Sequence, residues 1–181
     1  MDQARVLIID DQPIPLETAA SMLRLKCPGV RVEAIDSNFA ALARIRTTDY
    51  PAVLCDAHQP RLDGIGFVRA LRKIRPDLPV LLLFEKPDED LSRQSMTAGA
   101  YDVLVHPVGE TALLFAVRRA MEAARLRRQV QREREALVGG MRSMLKDLES
   151  LYGAYGLQTH FEVFLSEGDA ERLRISPPRA V

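Results

Sequence analysis

The stretch Pro51-Ala52-Val53-Leu54-Cys55-Asp56-Ala57-His58-Gln59-Pro60-Arg61-Leu62-Asp63-Gly64 decides how this chain folds. An apolar run ends in an acid, a proline-bearing loop follows, and Asp63-Gly64 opens the next segment. A second apolar run, Val6-Leu7-Ile8-Ile9, ends in Asp10-Asp11. Two buried strands ending in acids imply one pocket at the carboxyl edge of a parallel sheet, where open α/β sheets place their ligands. Three carboxylates meeting there need a divalent cation between them, and an all-oxygen donor set favours Mg²⁺.

Outward from that stretch, apolar runs recur at 5–9, 30–35, 52–55, 80–84 and 102–105. Between them the apolar residues take helical spacing, as in Leu16, Ala20, Leu23 and Cys27, or Phe67, Leu71 and Ile74. Strands alternating with helices predict an α/β fold, a doubly wound five-stranded parallel sheet covered on both faces. Pro13 and Pro15 suit a helix start, and Gly29, Gly64 and Gly99 fall at element boundaries. The fourth helix, over 88–98, has only Leu91, Met96 and Ala98 as apolar residues. A helix with so thin an apolar face is held loosely.

After Pro107 the pattern changes. Residues 109–138 predict one long helix, Gly139-Gly140 an interruption, and 141–152 a second helix. Leu137, Met141, Met144, Leu148 and Leu151 follow steps of four, three, four and three, a heptad seam. Extended backward it meets Arg134, Val130, Arg127 and Ala123, so we expect a two-part helical pair rather than a continuous coiled coil. Alternation over 160–166 and 172–176, with a turn at 167–170, predicts a β-hairpin. A lone hairpin is marginal in water, so it must pack on a helix, a partner subunit or a further domain. The expected division is a domain over 1–125 and a helical extension with terminal hairpin over 126–181. The Pro-Pro-Arg-Ala-Val ending is a place where a longer chain could have been cut.

Composition narrows the function. The 181 residues carry zero formal net charge, so nothing global points to nucleic acid or to an acidic substrate. No signal peptide and no membrane-spanning stretch are read in the sequence. Cys27 and Cys55 lack metal-ligand spacing and read as core thiols of a reduced, cytoplasmic protein. The basic run at Arg125, Arg127, Arg128, Arg132 and Arg134 is interleaved with Glu133 and Glu135 and has no aromatic neighbours. A solvated helix face with local ion pairs explains it better than nucleic-acid binding. There is no Gly-rich nucleotide loop and no Ser-His-Asp arrangement. Tyr152 and Tyr155 read as packing residues, and His160 alone is no metal site.

Residues 5 to about 125 resemble the CheY-like receiver domain of two-component response regulators. The resemblance rests on Asp10-Asp11, on Asp56 followed by Pro60 and Asp63-Gly64, and on His106-Pro107 where the family has Lys-Pro. It implies a flavodoxin-like fold and phosphoryl transfer to Asp56 from a sensor histidine kinase, a phosphotransfer protein or a small phosphodonor. It further implies a Mg²⁺ site formed by Asp11, Asp56 and the His58 backbone carbonyl, with Asp10 binding directly or through water. If Asp10 and Asp11 merely capped the first helix, Asp56 would go unexplained.

The chain also departs from the family. Phe84 stands where a Thr or Ser hydroxyl follows the phosphoryl group, and Glu85 where a small residue follows. His106 replaces the lysine, Val103 the aromatic switch residue, and Gln59 the apolar residue before Pro60. Lys86 is a second candidate cation. The expectation is an atypical receiver, not an enzyme in its own right, whose residues 110–152 form a homodimer or dock a helical partner. The rival expectation is a phosphorylation-independent scaffold.

Overall fold

The computed structural model describes residues 4–60, 62–86, 88–154, 161–166 and 169–175; over the last two segments the description is of the backbone. Two strands carry the architecture. β3 (Ala52–Asp56) and β4 (Val80–Phe84) are buried at every one of their five residues, as near-continuous apolar runs require in a sheet covered on both faces. β1 (Ala4–Ile9) joins them, with β2 (Val30–Ile35) and β5 (Asp102–Val105) as partly exposed edges. The order is β2-β1-β3-β4-β5, with every pairing parallel.

Period-two alternation sends the side chains of each strand to two different cores. Leu7, Ile9, Val53, Cys55, Leu82 and Phe84 face α2 (Asn38–Thr47) and α3 (Gly64–Arg72). Val6, Ile8, Leu54, Leu81 and Leu83 face α1 (Pro13–Lys26) and the start of α5 (Glu110–Ala154). α4 (Glu89–Thr97) buries only Ser95 fully, so its hold on the sheet is as thin as its composition implies. One glycine is fixed by close approach: a Cβ on Gly64 would lie 2.8 Å from the Ala57 Cα and 2.9 Å from Leu82 Cδ2.

The expected interruption at Gly139-Gly140 does not occur. α5 runs unbroken for 45 residues through both glycines. Each costs a helix about 1 kcal/mol relative to alanine. Helix propagation is cooperative, and the Ala-, Leu-, Arg- and Glu-rich flanks carry it across. The chain divides by its own packing into two units, Met1–Arg127 and Arg128–Val181. In the first, α5 buries Leu113, Ala116, Val117, Ala120 and Ala124. In the second, β6 (Phe161–Ser166) and β7 (Asp169–Ile175) pair antiparallel with a register shift between Phe164 and Ser166. How that hairpin packs lies outside the described residues.

Nothing stands within 4 Å of a Cβ built on Gly139 or Gly140. Replacing both with alanine is therefore expected to stabilise this part of the helix by roughly 1–2 kcal/mol, read as slower amide hydrogen exchange over 136–144. Unchanged exchange would mean that the glycines do not limit the opening of α5.

Candidate functional site

Strand register builds the site. Ile9 pairs with Cys55 across β1 and β3, so one step further Asp10 stands beside Asp56 at adjacent strand ends. Their order in the sheet makes this the point where connections leave in opposite directions, the position expected of a ligand crevice. Asp10 and Asp56 are only 6% and 4% exposed, whereas Asp11 is open to solvent. One carboxylate oxygen from each of Asp10, Asp11 and Asp56 lies within 4.8 Å of the others.

The acids do not serve as the α1 cap. Gln12 holds that position, and no side chain caps it. Asp10 Oδ1 accepts the Gln12 amide at 2.8 Å, and Asp56 Oδ2 accepts the His58 amide at 3.0 Å. These bonds do not offset burial. Desolvation is the main cause that raises the Asp10 carboxyl above its ordinary value, with Asp56 and Asp11 adding repulsion; the Gln12 amide and the His106 charge oppose it. Desolvation likewise raises Asp56, aided by Asp11 and opposed by the His58 amide and ring charge. Two buried carboxyls with raised values, beside a third open to water, form a group of hard oxygen donors that could hold a cation. The residues fit Mg²⁺, and no other described group of His, Cys, Asp or Glu comes together in this way.

The other half of the pocket is apolar. Phe84 ends β4 with 3% exposure, inside the core that Val103 and Val105 also pack against. The His58 ring meets it edge to face, with centroids 5.8 Å apart. The Phe84 carbonyl accepts the His106 amide at 2.8 Å. His106 itself is exposed and joined to Pro107 by a cis peptide bond. Glu85 and Lys86 are exposed as well.

Two residues with site contacts were missed in the sequence. In the sequence His58 offers its backbone carbonyl to the site, and in the structure its ring also stands against Phe84. Asn38 is buried, donating from Nδ2 to the Leu62 carbonyl at 2.6 Å and accepting from the Cys55 thiol at 3.1 Å. Ser37-Asn38 before a helix reads as capping chemistry, and no local pattern signals a bond 24 residues away. Beside it a cleft of about 220 Å³ is lined by Asp11, Asp36, Ser37, Asn38, Gln59 and Pro60, among others. Gln59 Nε2 reaches Asp11 Oδ1 at 3.5 Å, the long limit of a hydrogen bond.

The family model of the response regulator receiver domain matches residues 6–118. The C4-dicarboxylate transport transcriptional regulatory protein DctD of Pseudomonas aeruginosa is 38% identical over 125 residues, which cover 68% of this chain and 26% of that protein. The transcriptional regulatory protein PrrA of Mycobacterium leprae is 35% identical over 103 residues, 57% of this chain and 43% of that one. This chain thus spans less than half the length of either regulator. Among solved structures, a response regulator receiver domain protein from Clostridium thermocellum superposes with a TM-score of 0.62 at 29% identity. That match covers 68% of this chain and 98% of the other.

The folded protein holds protons on Asp10 and Asp56 at pH values where the unfolded chain, with its ordinary value of 3.8, has released them. Metal-free protein is therefore penalised at neutral pH and relieved as pH falls through the raised values. Asp56→Asn is expected to raise the metal-free melting temperature at pH 7 by roughly 3 °C. The gap should close toward pH 4, and saturating Mg²⁺ should reverse the order. Equal melting at pH 7 without metal would show that Asp56 carries no such penalty.

Proposed function

Because this chain belongs to the response regulator receiver domain family and keeps the acidic pocket without the usual hydroxyl and lysine, we propose that it is an atypical receiver that accepts a phosphoryl group on Asp56. The observation that carries this reading is the convergence of Asp10, Asp11 and Asp56. The donor is the phosphohistidine of a sensor histidine kinase or phosphotransfer protein, or a small phosphodonor. Asp11, Asp56 and the His58 carbonyl would hold Mg²⁺, with Asp10 binding directly or through water. When bound, the ion neutralises the clustered acids and the charge on the incoming group.

The His58 amide holds Asp56 Oδ2, which leaves Oδ1 to attack phosphorus. An O–P bond forms to Asp56 as the P–N bond of the donor breaks, and the bonding pair leaves with the imidazole, which takes a proton. Catalysis here is positioning and charge neutralisation. The receiver acts on itself, so we do not class the chain as an enzyme. Two buried free thiols suit a reducing compartment, and the proposed setting is the cytoplasm.

The response differs from a hydroxyl switch. Phe84 cannot donate a hydrogen bond, and its ring already fills the core next to Val103. On this side stand the His58 ring, edge to face with Phe84, and the exposed His106. α4, with Ser95 as its one fully buried residue, is the element with least resistance to movement.

For output we propose self-association through α5. Val130, Leu137, Met144 and Leu151 recur every seven residues and are 64%, 69%, 67% and 56% exposed. Such a stripe marks a helix that pairs with another. Within it Arg134 is the one charge at a seam position, and a single polar seam residue sets register.

Incubation with Mg²⁺ and a small phosphodonor is expected to add one phosphoryl group by intact mass in the native chain and none in Asp56→Asn. No adduct under any donor would favour a phosphorylation-independent scaffold. Light scattering should give a dimer, and Leu137→Glu with Met144→Glu a monomer that still forms the adduct. A native monomer at tens of micromolar, an ordinary range for weak association, would refute self-association.

A further inference from the structure

We propose that Asn38 is a positioning residue that, from the start of α2, sets the phosphoacceptor loop, described at residues 57–60, 62 and 63. The proposal rests on the reading of Asp56 as acceptor but concerns a residue outside the acid cluster.

Asn38 is the first residue of α2 and only 2% exposed. An asparagine at a helix start ordinarily faces water or caps the helix. This one turns inward, and both ends of its amide are used. Nδ2 donates to the Leu62 carbonyl at 2.6 Å, and Oδ1 accepts from the Cys55 thiol at 3.1 Å. The orientation follows from the partners, because a carbonyl can only accept and so must face the nitrogen. The Cys55 sulfur also lies 3.1 Å from the Asp56 carbonyl. Asn38 thus touches the residue just before the acceptor and the loop residue just before Asp63.

The loop's other bonds do not replace this tie. Asp56 to His58, Ala57 to Gly64 and Asp63 to Gly66 are local, within the loop or its junction with α3. The Ala57 amide fastens the loop's start to Leu83 of β4. On the β2-α2 side, the strong described bond is Asn38 to Leu62. Among the described hydrogen bonds on that side, Gln59 to Asp11 is at its 3.5 Å limit. Removing the amide strands the Leu62 carbonyl and frees the loop to pivot about its two ends.

This matters because the donor set has two origins. Strand register places Asp56 and Asp10, with Asp11 following directly in the chain, and none of them is bonded to Asn38 in the described contacts. The His58 carbonyl is placed by the loop alone. A merely structural asparagine would spread its loss over the whole fold, whereas a positioning one loosens the loop first.

Native-state hydrogen exchange without metal separates the two. In Asn38→Ala, and in Asn38→Ser should alanine fold poorly, the His58 and Gly64 amides are expected to exchange about tenfold faster, the weight of one hydrogen bond. The amides of β4 should keep their native rates. Cys55→Ala, which keeps the bond to Leu62, should leave the loop near native. Titrated with Mg²⁺ alone, Asn38→Ala should bind about tenfold more weakly by the same reckoning. Acceleration spread evenly over β4 and the loop, or native rates at Gly64, would overturn the proposal. A native chain that binds no Mg²⁺ would count against the receiver reading, and the exchange result would still decide the role of Asn38.

Discussion

Everything at the pocket depends on the burial of Asp10 and Asp56 side by side at adjacent strand ends, with Asp11 next to them. Two of them are nearly out of water, and all three offer oxygens within 4.8 Å of one another. A fold does not keep such a cluster for stability, because isolated buried charge is costly, and burial raises the Asp10 and Asp56 carboxyls above their ordinary value. The sheet pins them there because β1 and β3 are adjacent and parallel, with Ile9 and Cys55 in register. The fully buried β3 and β4 leave neither strand free to slip, since a shift of one residue would turn every side chain to the wrong face.

Around that cluster the pocket is asymmetric. One side is built to hold positive charge among oxygens. The other side presents the buried ring of Phe84 with His58 at its edge, and an exposed histidine at position 106. In the proposed reading, such a site takes up a phosphoryl group by position and charge while lacking a hydroxyl to report it. Whatever is reported must pass through groups that the pocket does possess, the loop over 57–63 and the weakly held α4. The clamp by Asn38 bears on the first of these.

The sheet was legible in the sequence because its two central strands are uninterrupted apolar runs, and a run that ends in an acid marks its own carboxyl edge. The pairing of Asp10-Asp11 with Asp56 followed from that alone. The hairpin was legible from alternation as strands over 160–166 and 172–176, but its second strand begins at Asp169, inside the expected turn. The passage of α5 through Gly139-Gly140 was not, because glycine propensity is local and helix cooperativity sums over the flanks. Asn38 was not legible either. Its partners lie 17 and 24 residues away, and only tertiary packing brings them together. The meeting of the His58 ring with Phe84 is of the same kind, a contact between a loop residue and a strand end that no spacing encodes.

The most direct test is a calorimetric Mg²⁺ titration of the metal-free protein in two buffers of different ionisation heat. The account predicts one ion per chain, proton release on binding at mildly acidic pH because the buried carboxyls must ionise, and loss of binding in Asp11→Asn. Absence of binding at millimolar Mg²⁺, or binding that Asp11→Asn leaves intact, would contradict it.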